Sequence, residues 1–350
     1  MGATSFTKAG ILMLIIVLGF FISWEIILRN RGIKIAYDDG DSLWADKRAM
    51  VYEPAEKATV FIGSSRNKFD LDIVTWQKLT GDHAIQLAIE GNSPLPVLDD
   101  LAADEHFKGK LVIDVTEGLF FSTSPQTTNK PTSYVGYFKK RTPAQRFSFL
   151  VNRPLEDRLV FLNKDHLSLT ALLAELPIPK RVGVFALPNE CPMDFNPTSF
   201  DRQNIMTDRF EHDSNIIKKV TGLWNFYRSI SKEPPANAAK TDSIIATVKN
   251  DIDKIKLRGG QVIFVRTPSS GPYWEGEQKG FPRLLYWDKI LATTGLSGIH
   301  FKDYPATDHF VCPEFSHLKQ SDAIIYTQQL AKILEQEKGW KFAKSPIAVN

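Results

Sequence analysis

The sequence predicts an α/β protein in which a mostly parallel sheet carries helices on both faces. An N-terminal transmembrane helix tethers it, and a large central insertion interrupts it. Three observations predict this. Short apolar runs alternate with segments of helical period over residues 57–120 and again over 241–337, the stretch from Ala9 to Leu28 is apolar and long enough for a bilayer, and residues 121–240 lose the rhythm.

At 350 residues the chain can bury a substantial core. Its 43 Lys and Arg against 40 Asp and Glu leave a formal net charge of +3, which gives no argument for a polyanionic partner, so no nucleic acid is expected. The short run Lys139-Lys140-Arg141 reads as a solvated face. Two cysteines, Cys191 and Cys312, are too few for a disulfide scaffold or a structural zinc site; in an oxidising compartment they could pair, or they are two unrelated thiols.

Residues 1–8 form a tail before the span. Ala9 to Leu28 is apolar except for Ser23 and Glu25, and at about 1.5 Å per residue it reaches roughly the 30 Å of a hydrocarbon core, so the bilayer is the first expected partner. No Ala-x-Ala-like site follows, and Trp24-Glu25-Ile26-Ile27-Leu28 carries the run to an interface-like end, so an uncleaved anchor is expected rather than a signal peptide. Lys8 precedes the span while Arg29, Arg31 and Lys34 follow it; alone, that asymmetry puts the C-terminal side in the cytoplasm. Residues 29–56 are polar with no clear period and read as a stalk.

The α/β domain is expected over 57–337. Ala58 to Ile62 is a buried strand, followed by a helix over Asp70 to Thr80 with Ile73, Trp76 and Leu79 inward and Gly81 past its end. Ala84 to Ala88 is the second strand, and the helix after Pro94 turns Leu95, Leu98 and Leu101 inward. Leu111 to Val115 is the third. From 121 to 240 loops, aromatics and helices such as Leu167 to Leu176 make too long a connection, hence an insertion over the sheet's active edge. Thr241 to Arg258 then shows one helical stripe, Ile244, Ile245, Val248, Ile252 and Ile255, closed by Gly259-Gly260. Gln261 to Val265 and Gly298 to Phe301 are strands. Ser321 to Glu337 is the closing helix, with Ser321 as N-cap and Ala323, Tyr326, Leu330 and Leu334 inward, and residues 338–350 form a tail.

Function in such a sheet collects where strands end at their carboxyl edge. The first strand ends in Gly63-Ser64-Ser65-Arg66, which delivers a small hydroxyl there and makes Ser65 the candidate nucleophile. Taken alone, a serine at a strand-to-helix turn is more often a cap. Far along the chain, Pro313-Glu314-Phe315-Ser316-His317-Leu318 offers an acid and an imidazole three residues apart. Together these blocks resemble those of the SGNH (GDSL-like) hydrolase and acyltransferase superfamily, and the double-serine version is similar to its membrane-anchored branches that work on cell-envelope polymers. The resemblance covers 57–120 and 241–337 and implies a flavodoxin-like, three-layer α/β/α fold. It implies Ser65 as nucleophile, His317 as base and Glu314, where the superfamily usually carries aspartate, as orienting acid, with Asp308 as fallback if the longer side chain does not reach the ring. It also implies an extracytoplasmic (periplasmic or cell-surface) domain, against the charge asymmetry, and no cofactor.

The resemblance further implies oxyanion donors from the backbone N–H groups of Ser65 and Gly91 and from an asparagine in the third block. Here that block is Thr116-Glu117-Gly118, so Asn92 or Thr116 substitutes or one donor is missing. Arg66 and Arg266 would suit an anionic substrate group unless local acids hold them, as Asp70 would hold Arg66, and Glu117 would bind substrate hydroxyls or repel an oxyanion. Glu211-His212-Asp213 and Asp308-His309 lack metal-ligand spacing, so no metal is expected. Trp224, Tyr227, Tyr273 and Trp274 could stack on sugars but read more simply as packing residues. The resulting expectation is a membrane-anchored serine esterase or O-acyltransferase acting on an acylated glycan or small ester, with a possible multi-spanning acyltransferase partner. The alternative is a degraded relative that binds glycan or such a partner without turnover.

Overall fold

The computed structural model describes residues 3–174, 176, 183, 191–230 and 237–344. The expected C-terminal tail from 345 onward, and the parts of the expected insertion at 175, 177–182, 184–190 and 231–236, lie outside the described residues. The chain divides into two compact units, Met1–Asp38 with Pro143–Asn189, and Asp39–Thr142 with Glu190–Asn350.

The larger unit holds a five-stranded, all-parallel sheet of β1 (Ala58–Ile62), β2 (His83–Gln86), β3 (Lys110–Asp114), β4 (Gln261–Arg266) and β5 (Gly298–His300), in the order β2-β1-β3-β4-β5. The registers Val60↔Leu111 and Val112↔Ile263 keep apolar pairs abreast, and both sheet faces are buried, which explains why these strands read as continuous apolar runs rather than alternating ones. Successive side chains leave opposite faces. Val60, Ile62, Leu111, Ile113 and Phe264 pack with Leu98, Leu101, Val248 and Ile252, while Phe61, Val112, Ile263 and Val265 pack with Trp76, Tyr326, Leu330 and Leu334. Each such side chain contributes about 1.5–3 kcal/mol by leaving water.

Several boundaries differ from the expectation. The first helix region is two helices, Ser65–Asp70 and Ile73–Thr80, because Asp72 caps the second by accepting from Thr75 N at 2.7 Å. The closing helix is Gln320–Gln336 with Lys319, not Ser321, at its N-cap. The expected stalk contains the helix Asp41–Ala49, whose Trp44 and Ala45 are wholly buried. Its apolar stripe was hidden by Lys47 and Arg48, which are buried too; Arg48 is ion-paired to Asp100 at 2.7 Å. Nor does the stretch expected as an insertion behave as one body. The helix Pro125–Lys140 places Tyr134 in the main core, and Phe195, Met206, Phe210, Ile216 and Val220 form a third cluster on Phe69.

The smaller unit contains the helix Ala3–Asn30, of which Phe6–Asn30 is long and apolar enough to cross a membrane. The expected helix at Leu167 to Leu176 is instead two, Lys164–Leu167 and Leu169–Ala174, the first capped by Asn163.

Candidate active site

In the strand order the neighbours of β1 lead away in opposite directions, β2 to one side and β3 to the other, and a crevice at such a switch point is where open α/β sheets hold ligands. Ser65 follows β1 there. Gly63 is required by close approach, since a Cβ on it would lie 2.6 Å from the Asp114 Cβ at the end of β3. Ser64 is buried, and its hydroxyl meets Thr116 Oγ1 at 2.8 Å and Asp114 Oδ2 at 3.4 Å, while Ser65 begins the helix Ser65–Asp70 and is only half-buried. Of the two serines, Ser65 therefore has the freer hydroxyl.

The Ser65 hydroxyl and Nε2 of His317 are 2.8 Å apart. On the other side of the ring, Nδ1 lies 2.9 Å from Glu314 Oε1, which also accepts the His317 backbone N–H at 2.7 Å. A carboxylate only accepts, so the ring proton belongs on Nδ1 and the Nε2 lone pair faces the serine. Glu314 Oε2 accepts the indole N–H of Trp224 at 2.6 Å, and the acid is wholly buried. Glu314 thus takes the orienting position without Asp308, whose carbonyl accepts from Lys302 elsewhere.

The short helix fixes both ends of this arrangement. Ser65 starts it, and Asp70 at its end accepts the Leu318 N–H at 2.9 Å, pinning the residue after His317. Burial pushes the Asp70 carboxyl well above its usual range, against the pull of Leu318 N–H and Arg66. Phe69 lies on the imidazole at 4.5 Å between ring centroids, with Phe195 and Trp224 at 5.7 and 6.1 Å. Between acid and base, Phe315 adopts a φ of 76°, a strained conformation for a bulky residue. Its carbonyl accepts from Ser270 N at 3.0 Å.

Arg66 and Arg266 enter an ion-paired cluster rather than standing open. Both donate to Glu277, one to each carboxylate oxygen, and Arg266 Nε reaches Glu117 at 3.0 Å. The carboxylate of Arg66 is Glu277, not Asp70, and its Nε also donates to Ser316 Oγ at 3.2 Å, next to the histidine. Arg66 Nη1 is buried with no hydrogen-bond partner among the described residues. Burial raises Glu277, but the two guanidinium groups outweigh it and hold the carboxyl down at about 2; Glu117 is pushed up by burial and by the Glu277 charge.

The remaining expected residues fall as follows. Gly91 is exposed with a left-handed φ of 64°. Asn92 Nδ2 donates to Glu90 O at 2.5 Å, and its Oδ1 is buried and unpartnered among the described residues. Thr116 is engaged with Ser64 and, at 3.0 Å, with Asp114. Cys312 is buried and Cys191 partly so, and no disulfide joins them. Trp274 packs on Phe301 and His300, and Tyr273 lies under Arg228 at 4.6 Å. No group of three metal-ligating side chains occurs among the described residues. Sequence reasoning missed Glu277 and the bond from Trp224; each acts from a helix far from the blocks it serves, and no spacing announces it.

No family model matches the chain, and no curated protein matches it in sequence.

Proposed function

We propose that this chain is a membrane-anchored, SGNH-like serine esterase or O-acyltransferase. The supporting observation is the continuous hydrogen-bond line from Ser65 Oγ through His317 to Glu314, at 2.8 and 2.9 Å. The strand order, with helices packed against both sheet faces, supports a flavodoxin-like, three-layer reading of the fold.

In this reading Ser65 Oγ attacks the ester carbonyl while Nε2 of His317 takes its proton, and the Glu314 carboxylate steadies the imidazolium that forms. By resemblance, the backbone N–H groups of Ser65 and Gly91 would hold the oxyanion. Collapse expels the alcohol, which receives the proton from His317 and leaves an acyl group on Ser65. Water or a sugar hydroxyl then attacks, returns its proton through the same ring and frees the serine. Thr116 is committed to Ser64 and Asp114, so a third donor comes from Asn92 or is absent, and one missing donor costs about 2.7–4 kcal/mol.

The substrate class is an acylated glycan or small ester, by resemblance an acetylated cell-envelope polymer, with the domain extracytoplasmic. The other reading, a degraded relative that binds glycan or a multi-spanning acyltransferase without turnover, draws on the missing third-block asparagine. Serine and imidazole at hydrogen-bond distance weigh against it. Hydrolysis of p-nitrophenyl acetate and labelling by a fluorophosphonate test the proposal, with both expected to vanish in Ser65→Ala. Either one persisting undiminished overturns the nucleophile assignment.

A further inference from the structure

The helix Pro143–Glu156 buries none of its side chains. Phe147, Leu150, Val151 and Leu155 are 69, 59, 49 and 48% exposed. At 100° per residue these four, with Ala144 and Pro154, fill an arc of about 140°. Arg146 and Arg153 lie side by side along one edge of that arc and Ser148 borders the other, while Gln145, Asn152 and Glu156, with the half-buried Phe149 among them, occupy the opposite side. Among the described residues this face stays about half exposed or more.

The segment that follows fixes the depth at which the helix sits. Phe161 stacks on Phe21 of the apolar N-terminal helix at 5.2 Å. The Glu25 carboxylate accepts the backbone N–H groups of Val160 and Phe161 at 3.0 and 3.2 Å, and Arg29 Nη2 donates to Arg158 O at 2.6 Å. Residues 158–161 therefore run beside the last turns of that helix, from Phe21 to Arg29, where its apolar sequence gives way to Arg29 and Arg31. Glu156 ends the amphipathic helix two residues earlier. If Phe6–Asn30 spans a bilayer, this is the level at which hydrocarbon meets headgroups.

Charge agrees with that placement. From 143 to 158 the chain carries Arg146, Arg153 and Arg158 against Glu156 and Asp157. An apolar face edged by arginines suits a leaflet with anionic lipids, where the long side chains reach phosphates while their neighbours enter the acyl boundary.

We propose that Pro143–Glu156 lies in the plane of the membrane, its Phe147, Leu150, Val151 and Leu155 face in the acyl boundary and Arg146 at the edge of that face on lipid phosphates. The proposal rests on the reading of Phe6–Asn30 as a span, and gives the protein a second attachment beside it.

The test uses the full chain in vesicles of phosphatidylcholine with phosphatidylglycerol. Cys191→Ser removes the accessible thiol, while Cys312 is buried and its thiol is pushed well up by burial and so stays unreactive. An environment-sensitive fluorophore is placed by Phe147→Cys, Val151→Cys, Gln145→Cys, Asn152→Cys or, within the span, Met13→Cys. Nitroxide lipids labelled near the headgroup should quench positions 147 and 151 several-fold more than 145 and 152, and lipids labelled at the chain end should quench 13. Equal quenching at the four helix positions, with 13 quenched, overturns the in-plane helix and leaves the span standing. An unquenched 13 overturns the span and this proposal with it. A photocrosslinker at Leu150 in native membranes should yield lipid adducts; a protein adduct of defined mass would assign the face to a protein instead.

Discussion

Trp224 donates its indole N–H to Glu314 Oε2 at 2.6 Å, across 90 residues of sequence. The bond satisfies the second oxygen of a wholly buried carboxylate whose first oxygen faces His317, so a tryptophan from the helix Ser214–Ile230 helps hold the acid of the proposed triad. Trp224→Phe keeps the ring packing against Phe195 and His317 but leaves Oε2 unpaired, a loss of about 1–3 kcal/mol. The rate of fluorophosphonate labelling should fall by about 5- to 150-fold with little change in KM for p-nitrophenyl acetate.

Glu314→Gln presents an amide where the imidazole needs a carboxylate and can stabilise the wrong tautomer. A drop of about 10²- to 10⁴-fold in kcat is expected, with the fold intact by circular dichroism. Unchanged kcat would mean that His317 does not depend on this acid.

Glu277 holds two guanidinium groups at once, so Glu277→Gln leaves Arg66 and Arg266 buried and facing each other. Denaturant titration of the detergent-solubilised protein should show a loss of about 3–5 kcal/mol. The pH dependence has a definite sign. With a folded pKa of about 2 against an ordinary 4.5, Glu277 contributes stability that is present above pH 4.5 and lost as pH falls towards 2. The acid limb of the stability profile in that window should flatten in the variant.

Asp70 acts in the opposite direction. Its carboxyl is raised by burial above an ordinary 3.8, and one oxygen has no hydrogen-bond partner among the described residues. Here the folded state holds a proton that the unfolded chain has released, so stability falls as pH rises above 3.8 through the folded value. Asp70→Asn, whose amide oxygen can still accept from Leu318 N–H, should be more stable than the parent by about 1–3 kcal/mol at pH 8. Thermal melts at pH 8 and pH 4 check it, with the gap expected to close at the lower pH.

Gly63→Ala places a Cβ 2.6 Å from the Asp114 Cβ and 3.2 Å from that of Asn67. The strand end must shift, costing about 1–3 kcal/mol, and a displacement of Ser65 approaching 1 Å would lower activity about 10²-fold. Labelling that falls further than the stability loss accounts for marks Gly63 as a positioning residue for the nucleophile.

The sequence alone was enough for the β-strands, the apolar N-terminal helix and the three side chains that the structure joins in one hydrogen-bond line. Strands buried on both faces leave long apolar runs, a membrane-length helix needs an uninterrupted one, and a hydroxyl, an acid and an imidazole sit in short contiguous blocks. The helix Asp41–Ala49 escaped because Lys47 and Arg48 are buried with partners, Arg48 on Asp100, and a pattern of apolar against polar residues cannot distinguish a paired buried charge from a solvated one. Tertiary structure alone decided that Glu277 engages both Arg66 and Arg266, that Trp224 reaches Glu314, and that Ser64 rather than Ser65 is absorbed by Thr116 and Asp114. All of these but the Arg266–Glu277 pair join side chains 50 or more residues apart in sequence. The partners are selected by which helices and strand ends the packed sheet brings to one edge, and that selection is written in no local spacing.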